Sequence, residues 1–180
     1  MDVLVISDTH GRRHAVERLL SQLNWRPSTV LFLGDGLRDL SVITGSDRFA
    51  DVSVFAVAGN CDGSIIFPSD EPEVRTVILG NLRVVMMHGH TFDVKWGLGE
   101  AIACAASREA DVLLYGHTHA PYEKILPAGE PLRDGTVLKK PLLIANPGSL
   151  GDPRCGQAPS FGVLTVRGGA ALFSHGTLNE

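Results

Sequence analysis

The sequence predicts an α/β fold: two packed, mixed β-sheets forming a double β-sandwich flanked by α-helices. In the first half, short β-branched and aliphatic runs alternate with helical stretches. In the second half, strand-like runs follow one another across Pro- and Gly-rich turns. Length sets the scale, because 180 residues with 44% hydrophobic and 20% charged residues suffice for one domain with a sizeable core, expected to span residues 1–180.

Residues 3–7 read as a buried strand that runs into Asp8-Thr9-His10-Gly11. A helix over residues 12–23 follows, with Ala15, Val16, Leu19, Leu20 and Leu23 recurring on one face at spacings of three and four. Pro27 and Ser28 end the connection to a second strand, residues 29–33, which finishes in Gly34-Asp35-Gly36. A shorter helical stretch, residues 37–43, precedes a third strand, residues 53–58, which finishes in Gly59-Asn60-Cys61-Asp62. Residues 63–72 are turn-rich and predict an irregular loop. Residues 74–79 and 82–87 form a hairpin across Gly80-Asn81, two residues that accept the positive φ angles of a tight turn. The hairpin ends in His88-Gly89-His90. A helix over residues 95–109, interrupted by Gly97 and Gly99, leads to a strand at 111–115 and then to Gly116-His117-Thr118-His119. Residues 122–126, 142–145, 161–166 and 170–173 are short strands. Asn146-Pro147-Gly148-Ser149 follows the second of them, and Gly168-Gly169 marks a terminal hairpin.

Composition excludes several function classes. The net charge is −4, and no run of Lys and Arg offers a nucleic-acid-binding surface. A phosphate-bearing substrate would therefore need positive charge from elsewhere, and bound metal is the obvious supply. Cys61, Cys104 and Cys155 are widely spaced with no CxxC pair, which fits a reduced compartment and no thiolate zinc site. The first residues lack a basic segment of the kind that opens a signal peptide, and no apolar run approaches the ~20 residues of a membrane span. A cytoplasmic protein without membrane contact is expected; self-association into a homo-oligomer is compatible with the sequence.

The informative regularity is positional. The strand at residues 3–7 stops at Asp8 and His10, that at 29–33 at Asp35, and that at 53–58 at Asn60. The strand at 82–87 stops at His88, and that at 111–115 at His117 and His119. Functional crevices of open α/β sheets lie outside the carboxyl ends of strands, so these seven side chains are expected to meet there. Taken singly, Asp8 could cap a helix, Asp35 could stabilise a turn, and Asn60 could take a left-handed conformation. Taken together, those readings leave unexplained why ligand-type residues recur at every such strand exit. Seven donors exceed the needs of one tetrahedral ion, and a carboxylate can bridge two, which predicts a two-metal site with cations ~3.5–4 Å apart. Imidazoles, carboxylates and an amide oxygen suit manganese, with iron, zinc, cobalt or nickel as alternatives. Two divalent ions less two carboxylates and a bridging hydroxide leave a charge of about +1, which attracts an anion. His14 and His175 lie outside the pattern and read as ordinary surface histidines.

Asp8-Thr9-His10, Gly34-Asp35, Gly59-Asn60, His88-Gly89-His90 and Gly116-His117-Thr118-His119, in this order, resemble the signature of calcineurin-like metallophosphoesterases. The length, Gly59-Asn60-Cys61-Asp62 and Asn146-Pro147-Gly148-Ser149 resemble the small stand-alone phosphodiesterases of bacteria. The resemblance implies that Asp8, His10 and His119 hold one metal, that Asn60, His88 and His117 hold the other, and that Asp35 bridges them. It also implies hydrolysis of a small phosphodiester by in-line attack of a metal-bridging hydroxide. Asp35 and Asn60 would then belong to the catalytic set. A rival reading is a scaffold, since a eukaryotic membrane-sorting subunit resembles the same fold and acts through protein contacts. A serine hydrolase is disfavoured, because no GxSxG surrounds Ser149.

The sequence departs from the larger relatives at one place. They carry His directly after the metal-binding Asn, where Cys61 stands here. A thiol is no substitute for an imidazolium as proton donor, so substrates with good leaving groups are expected. His90 is the nearest substitute acid, or else a residue that orients the site. Asp39 and Asp62 read either as acceptors for ligand histidines or as turn residues.

Overall fold

In the computed structural model, which describes residues 1–63, 72–154 and 156–178, strand β1 (Asp2–Ile6) is buried on both faces, as its unbroken apolar run requires. It pairs in parallel with β2 (Thr29–Phe32), and β2 pairs in parallel with β3 (Ser53–Ala56). The β-α-β connection through helix α1 (Arg13–Gln22) accounts for this half of the sheet. The other half comes from the far end of the chain: β9 (Ser160–Arg167) lies antiparallel to β1, and β10 (Ala170–Thr177) pairs with β9 across Gly168-Gly169.

The second sheet has the order β4-β5-β6-β8-β7. The hairpin of β4 (Val74–Leu79) and β5 (Leu82–Met87) forms as the Gly80-Asn81 turn predicts. Strands β5, β6 (Val112–Tyr115) and β8 (Leu142–Pro147) run parallel, and β7 (Pro121–Leu126) closes the far edge antiparallel to β8. Both sheets are therefore mixed, as expected.

Strand alternation sorts the core into layers. Val3, Val5, Leu31 and Leu33 of the first sheet face Val84, Met86, Val112 and Leu114 of the second, all fully buried. Leu4, Ile6, Val30 and Phe32 point the other way and pack on Ala15, Val16, Leu19 and Leu20 of α1. On the outer face of the second sheet, Val85, Met87, Leu113 and Tyr115 share a cluster with Ala101 and Ala105 of the helix at Gly99–Ser107.

The helices differ most from expectation. The stretch at residues 37–43 is a single 3₁₀ turn, Leu37–Leu40, continued by α2 (Ser41–Thr44). Helix α3 begins only at Gly99, where the Leu98 carbonyl accepts its first bond from Ile102 N–H at 2.8 Å. The preceding residues instead form a 3₁₀ turn at His90–Phe92, and a further turn is closed by Trp96 N–H donating to the Asp93 carbonyl at 2.8 Å. The expected loop at residues 63–72 falls, apart from its two ends, outside the described residues, as does Cys155. Among the described residues no helix is long and apolar enough to cross a membrane.

Leu31 sits at the centre of the inter-sheet layer with no exposed surface. Leu31→Ala should lower unfolding stability by about 2–5 kcal/mol, read from the urea midpoint at unchanged slope.

Candidate metal centre

Parallel pairing puts the carboxyl ends of β1, β2 and β3 on one side of the first sheet and those of β5, β6 and β8 on one side of the second. The seven predicted side chains meet where these two rows of strand ends adjoin. Asp8, His10 and His119 form one group whose ligand atoms lie within 4.8 Å of one another; Asp35, His88 and His117 form a second. In the first, His10 Nε2 is 3.2 Å from His119 Nε2 and 3.7 Å from Asp8 Oδ1. In the second, His88 Nε2 is 3.2 Å from His117 Nδ1 and 3.2 Å from Asn60 Oδ1. Asp35 Oδ2 faces both groups, 3.4 Å from His88 Nε2 and 3.9 Å from His10 Nε2.

Backbone conformation aims these groups. Asp8, His10, Asp35, His117 and His119 all have φ between 49° and 64°, in the left-handed region that residues other than glycine rarely adopt. Each strand ends in a sharp turn that swings the next side chain across the sheet edge. The glycine preceding several of these residues has a packing cause. A Cβ at Gly59 would collide with Asp35 Oδ1, and one at Gly116 with Ser7 Oγ, so neighbouring turns approach only because those positions carry no side chain.

Hydrogen bonds occupy the atoms that face away from the centre. Asp8 Oδ2 accepts from Ser7 Oγ at 2.5 Å and from His117 N–H at 3.1 Å, while Asp35 Oδ1 accepts from Cys61 N–H at 2.7 Å. His88 Nδ1 is paired with the Leu33 carbonyl at 2.7 Å and His119 Nδ1 with the Asp152 carbonyl at 2.6 Å, which turns both Nε2 atoms inward. Asp8 Oδ1 is fully buried and accepts no hydrogen bond, although His119 Nε2 lies 3.1 Å away. A buried carboxylate oxygen left unpaired among imidazoles is the arrangement a cation would satisfy, so the donor set fits divalent metal.

The electrostatics agree with that fit. Burial raises the Asp35 carboxyl, but His88 and the Cys61 amide outweigh it and hold the group well below the usual carboxylate range. Burial lowers His88 and His119, yet Asp35 and Asp8 prevail and raise both. His117 is pushed down to about 4 by burial, His88 and Lys95, so its imidazole is neutral at pH 7. Protons and metal would thus compete mainly at His88 and His119.

Other predicted residues fall differently. His90 stands beside the second group, its ring 5.3 Å from His88 and 6.1 Å from His117, with Nδ1 buried and unpaired. Burial and His88 lower its pKa. Neither Asp39 nor Asp62 supports a ligand histidine; main-chain carbonyls do that. Asp39 accepts from Thr9 Oγ1 at 2.5 Å and Gly11 N–H at 3.0 Å. Asp62 accepts from the N–H groups of Asp35, Gly36, Leu37 and Gly59. His14 and His175 are both exposed, as expected, and His175 Nε2 is paired with the Asn146 carbonyl at 2.8 Å. Cys61 Sγ, which the expected donor set leaves out, lies within 4.8 Å of ligand atoms on His10 and Asp35. Sequence spacing says nothing of this, because Cys61 has no cysteine partner along the chain. Burial and the carboxylates of Asp35, Asp62 and Asp8 push its thiol up to about 11.

Sequence reasoning gave no role to Asn146 and Ser149, which are fully buried. Asn146 Nδ2 donates to the Gly116 carbonyl at 2.9 Å and to Thr118 Oγ1 at 3.1 Å; Ser149 Oγ donates to the Asp8 carbonyl at 2.8 Å and accepts from Asp152 N–H at 2.7 Å. These two residues fasten the Asp8 turn and the His117–His119 turn to the end of β8. Beside the cluster opens a cleft of about 350 Å³ lined by His10, Arg38 and Cys61 among others. A larger groove of about 800 Å³ touches none of the seven donors and lies at the opposite end of β6, near Arg83 and Asp111.

Fold and cluster together are those of the metallophosphoesterase class of proteins. Residues 1–169 match the calcineurin-like phosphoesterase superfamily domain. The chain belongs to that superfamily. It is 30% identical to the phosphodiesterase YfcE of Escherichia coli K12 over 185 residues, covering 91% of this chain and 87% of that protein. Among solved structures, a predicted phosphoesterase from Streptococcus pneumoniae TIGR4 superposes with TM-score 0.71 at 24% identity, covering 98% of this chain and 88% of the other. Vps29 of Entamoeba histolytica complexed with Zn²⁺ gives 0.61 at 24% identity, covering 99% and 100%. Both structural likenesses bear on the fold.

Ser149→Ala removes the hydroxyl that positions Asp8 and Asp152. It should weaken divalent-metal binding about 10- to 100-fold while the protein stays folded, as measured by equilibrium dialysis alongside circular dichroism.

Proposed function

We propose that the protein is a dinuclear metal-dependent phosphodiesterase acting on a small phosphodiester. The observation that carries this reading is the position of Asp35 Oδ2, one carboxylate oxygen turned toward His10 on one side and His88 on the other. Asp8 Oδ1, His10 Nε2 and His119 Nε2 would hold one cation; Asn60 Oδ1, His88 Nε2 and His117 Nδ1 would hold the second, with Asp35 between them. The donors suit manganese, with iron, zinc, cobalt or nickel as alternatives. Bound divalent metals supply Lewis-acid charge to the phosphoryl oxygens and bring water within reach of ionisation near neutral pH, for in-line displacement. The YfcE relative, named a phosphodiesterase, supports the reaction class.

What remains for the chain's own residues is binding, orientation and proton delivery. With its thiol pushed up to about 11, Cys61 is a weaker proton donor than an imidazolium in its place would be. Burial and His88 lower the pKa of His90, which disfavours its imidazolium form as a proton donor. Leaving-group departure therefore depends on the stability of the leaving anion.

Three outcomes are expected. Purified protein should hydrolyse an aryl phosphodiester with added Mn²⁺ and lose that activity with chelator, whereas silence under both conditions would favour a scaffold. In the same assay Asp35→Asn should lose orders of magnitude in kcat together with bound metal; retention of both would refute the bridging role. Aryl diesters should also turn over at least about 100-fold faster than unactivated alkyl monoesters in kcat/KM. Comparable rates would contradict the assignment of a weak proton donor.

A further inference from the structure

The seven-donor reading leaves one ligand-type side chain at the centre unused. We propose that His10, Asp35 and Cys61 form a site for a thiophilic divalent cation, such as Cd²⁺, with the Cys61 thiolate as the soft ligand. The inference rests on the ligand reading of His10 and Asp35 above and extends it. One ligand atom from each of the three lies within 4.8 Å of the other two. Zinc makes bonds of about 2.0–2.3 Å to nitrogen, oxygen and sulfur, and the larger Cd²⁺ makes longer ones, so one such ion can reach three atoms so spaced after small side-chain adjustments.

Cys61 is fixed in place. Its N–H donates to Asp35 Oδ1 at 2.7 Å, and its Sγ accepts from Asn60 Nδ2 at 3.2 Å. The residue is exposed and lines the 350 Å³ cleft together with His10, so a hydrated ion can reach it from solvent. Asp8 Oδ1, fully buried and without a hydrogen bond, belongs to the adjoining group with His10 and His119, so His10 is the side chain that the two groups share on that side. Ligation replaces the S–H bond by an S–metal bond and releases the proton to solvent, with no change of oxidation state. Because His10 and Asp35 are shared, a soft ion at this site displaces a hard ion from the first position. Thiolate and imidazole favour a softer metal than carboxylate and amide oxygen do.

The test uses the metal-stripped full chain titrated with Cd²⁺, followed by the ultraviolet thiolate-to-cadmium charge-transfer band. The wild type should develop the band, Cys61→Ser should lack it, and His10→Ala should need at least tenfold more Cd²⁺ for half-saturation. A wild type without the band, a band that survives in Cys61→Ser because Cys104 or Cys155 carries it, or an unchanged midpoint in His10→Ala would each overturn the proposal. No substrate is present, so failure here leaves the phosphodiesterase reading standing. Absence of diester hydrolysis with the band intact would overturn only that reading.

Discussion

The Asp62 carboxylate is the interaction on which the centre depends. It accepts the N–H groups of Asp35 at 2.6 Å, Gly36 at 2.7 Å, Leu37 at 2.8 Å and Gly59 at 2.9 Å. Those groups belong to the exits of β2 and β3, so one side chain ties two strand ends into a single turn. Asp35 faces both histidine groups because its backbone is held in this clamp with φ 57°. Charge-assisted bonds of this kind are the strong ones, and four of them offset the strain of a left-handed aspartate.

The rest of the centre repeats the same economy. Five of the seven candidate donors have positive φ, and that strain is held by neighbours that never face the cluster: Ser7 beneath Asp8, Ser149 behind the Asp8 carbonyl, Asn146 under the Gly116 carbonyl. The sandwich core supplies the rigid frame, since most candidate donors follow strands, β1, β2 and β6 above all, whose apolar residues are buried on both sides. Pre-organisation follows, because the donors are aimed before any ion arrives and little conformational freedom is lost on binding. A buried, unpaired Asp8 oxygen amid imidazoles that partly compensate it is a donor arrangement that fits a divalent cation.

Most strands were legible because a continuous apolar run bounded by Gly, Asp or Asn has few other readings in a chain of this size. The hairpin at Gly80-Asn81 was legible from two residues. Helix starts were less so. Residues 95–98 carry a helical composition yet turn back on themselves, because Gly97 and Gly99 weaken the helix and Asp93 takes φ 49°, which no helix accommodates. The final strand was expected to stop at residue 173 but continues through His175 to Thr177, since antiparallel pairing with β9 supplies partners that local pattern does not reveal.

By itself the sequence determined where the five donor-bearing strands end, to within about two residues, and which donor-type residue stands after each, because apolar runs, glycines and donor residues are local features of the chain. Only the tertiary structure decided which ends come together. The joining of β9 and β10 to the first sheet, the clamp of Asp62, the anchoring by Asn146 and Ser149, and the nearness of Cys61 to His10 all depend on contacts between distant segments. Such contacts are chosen by the packing of whole sheets, and no window of neighbouring residues encodes them.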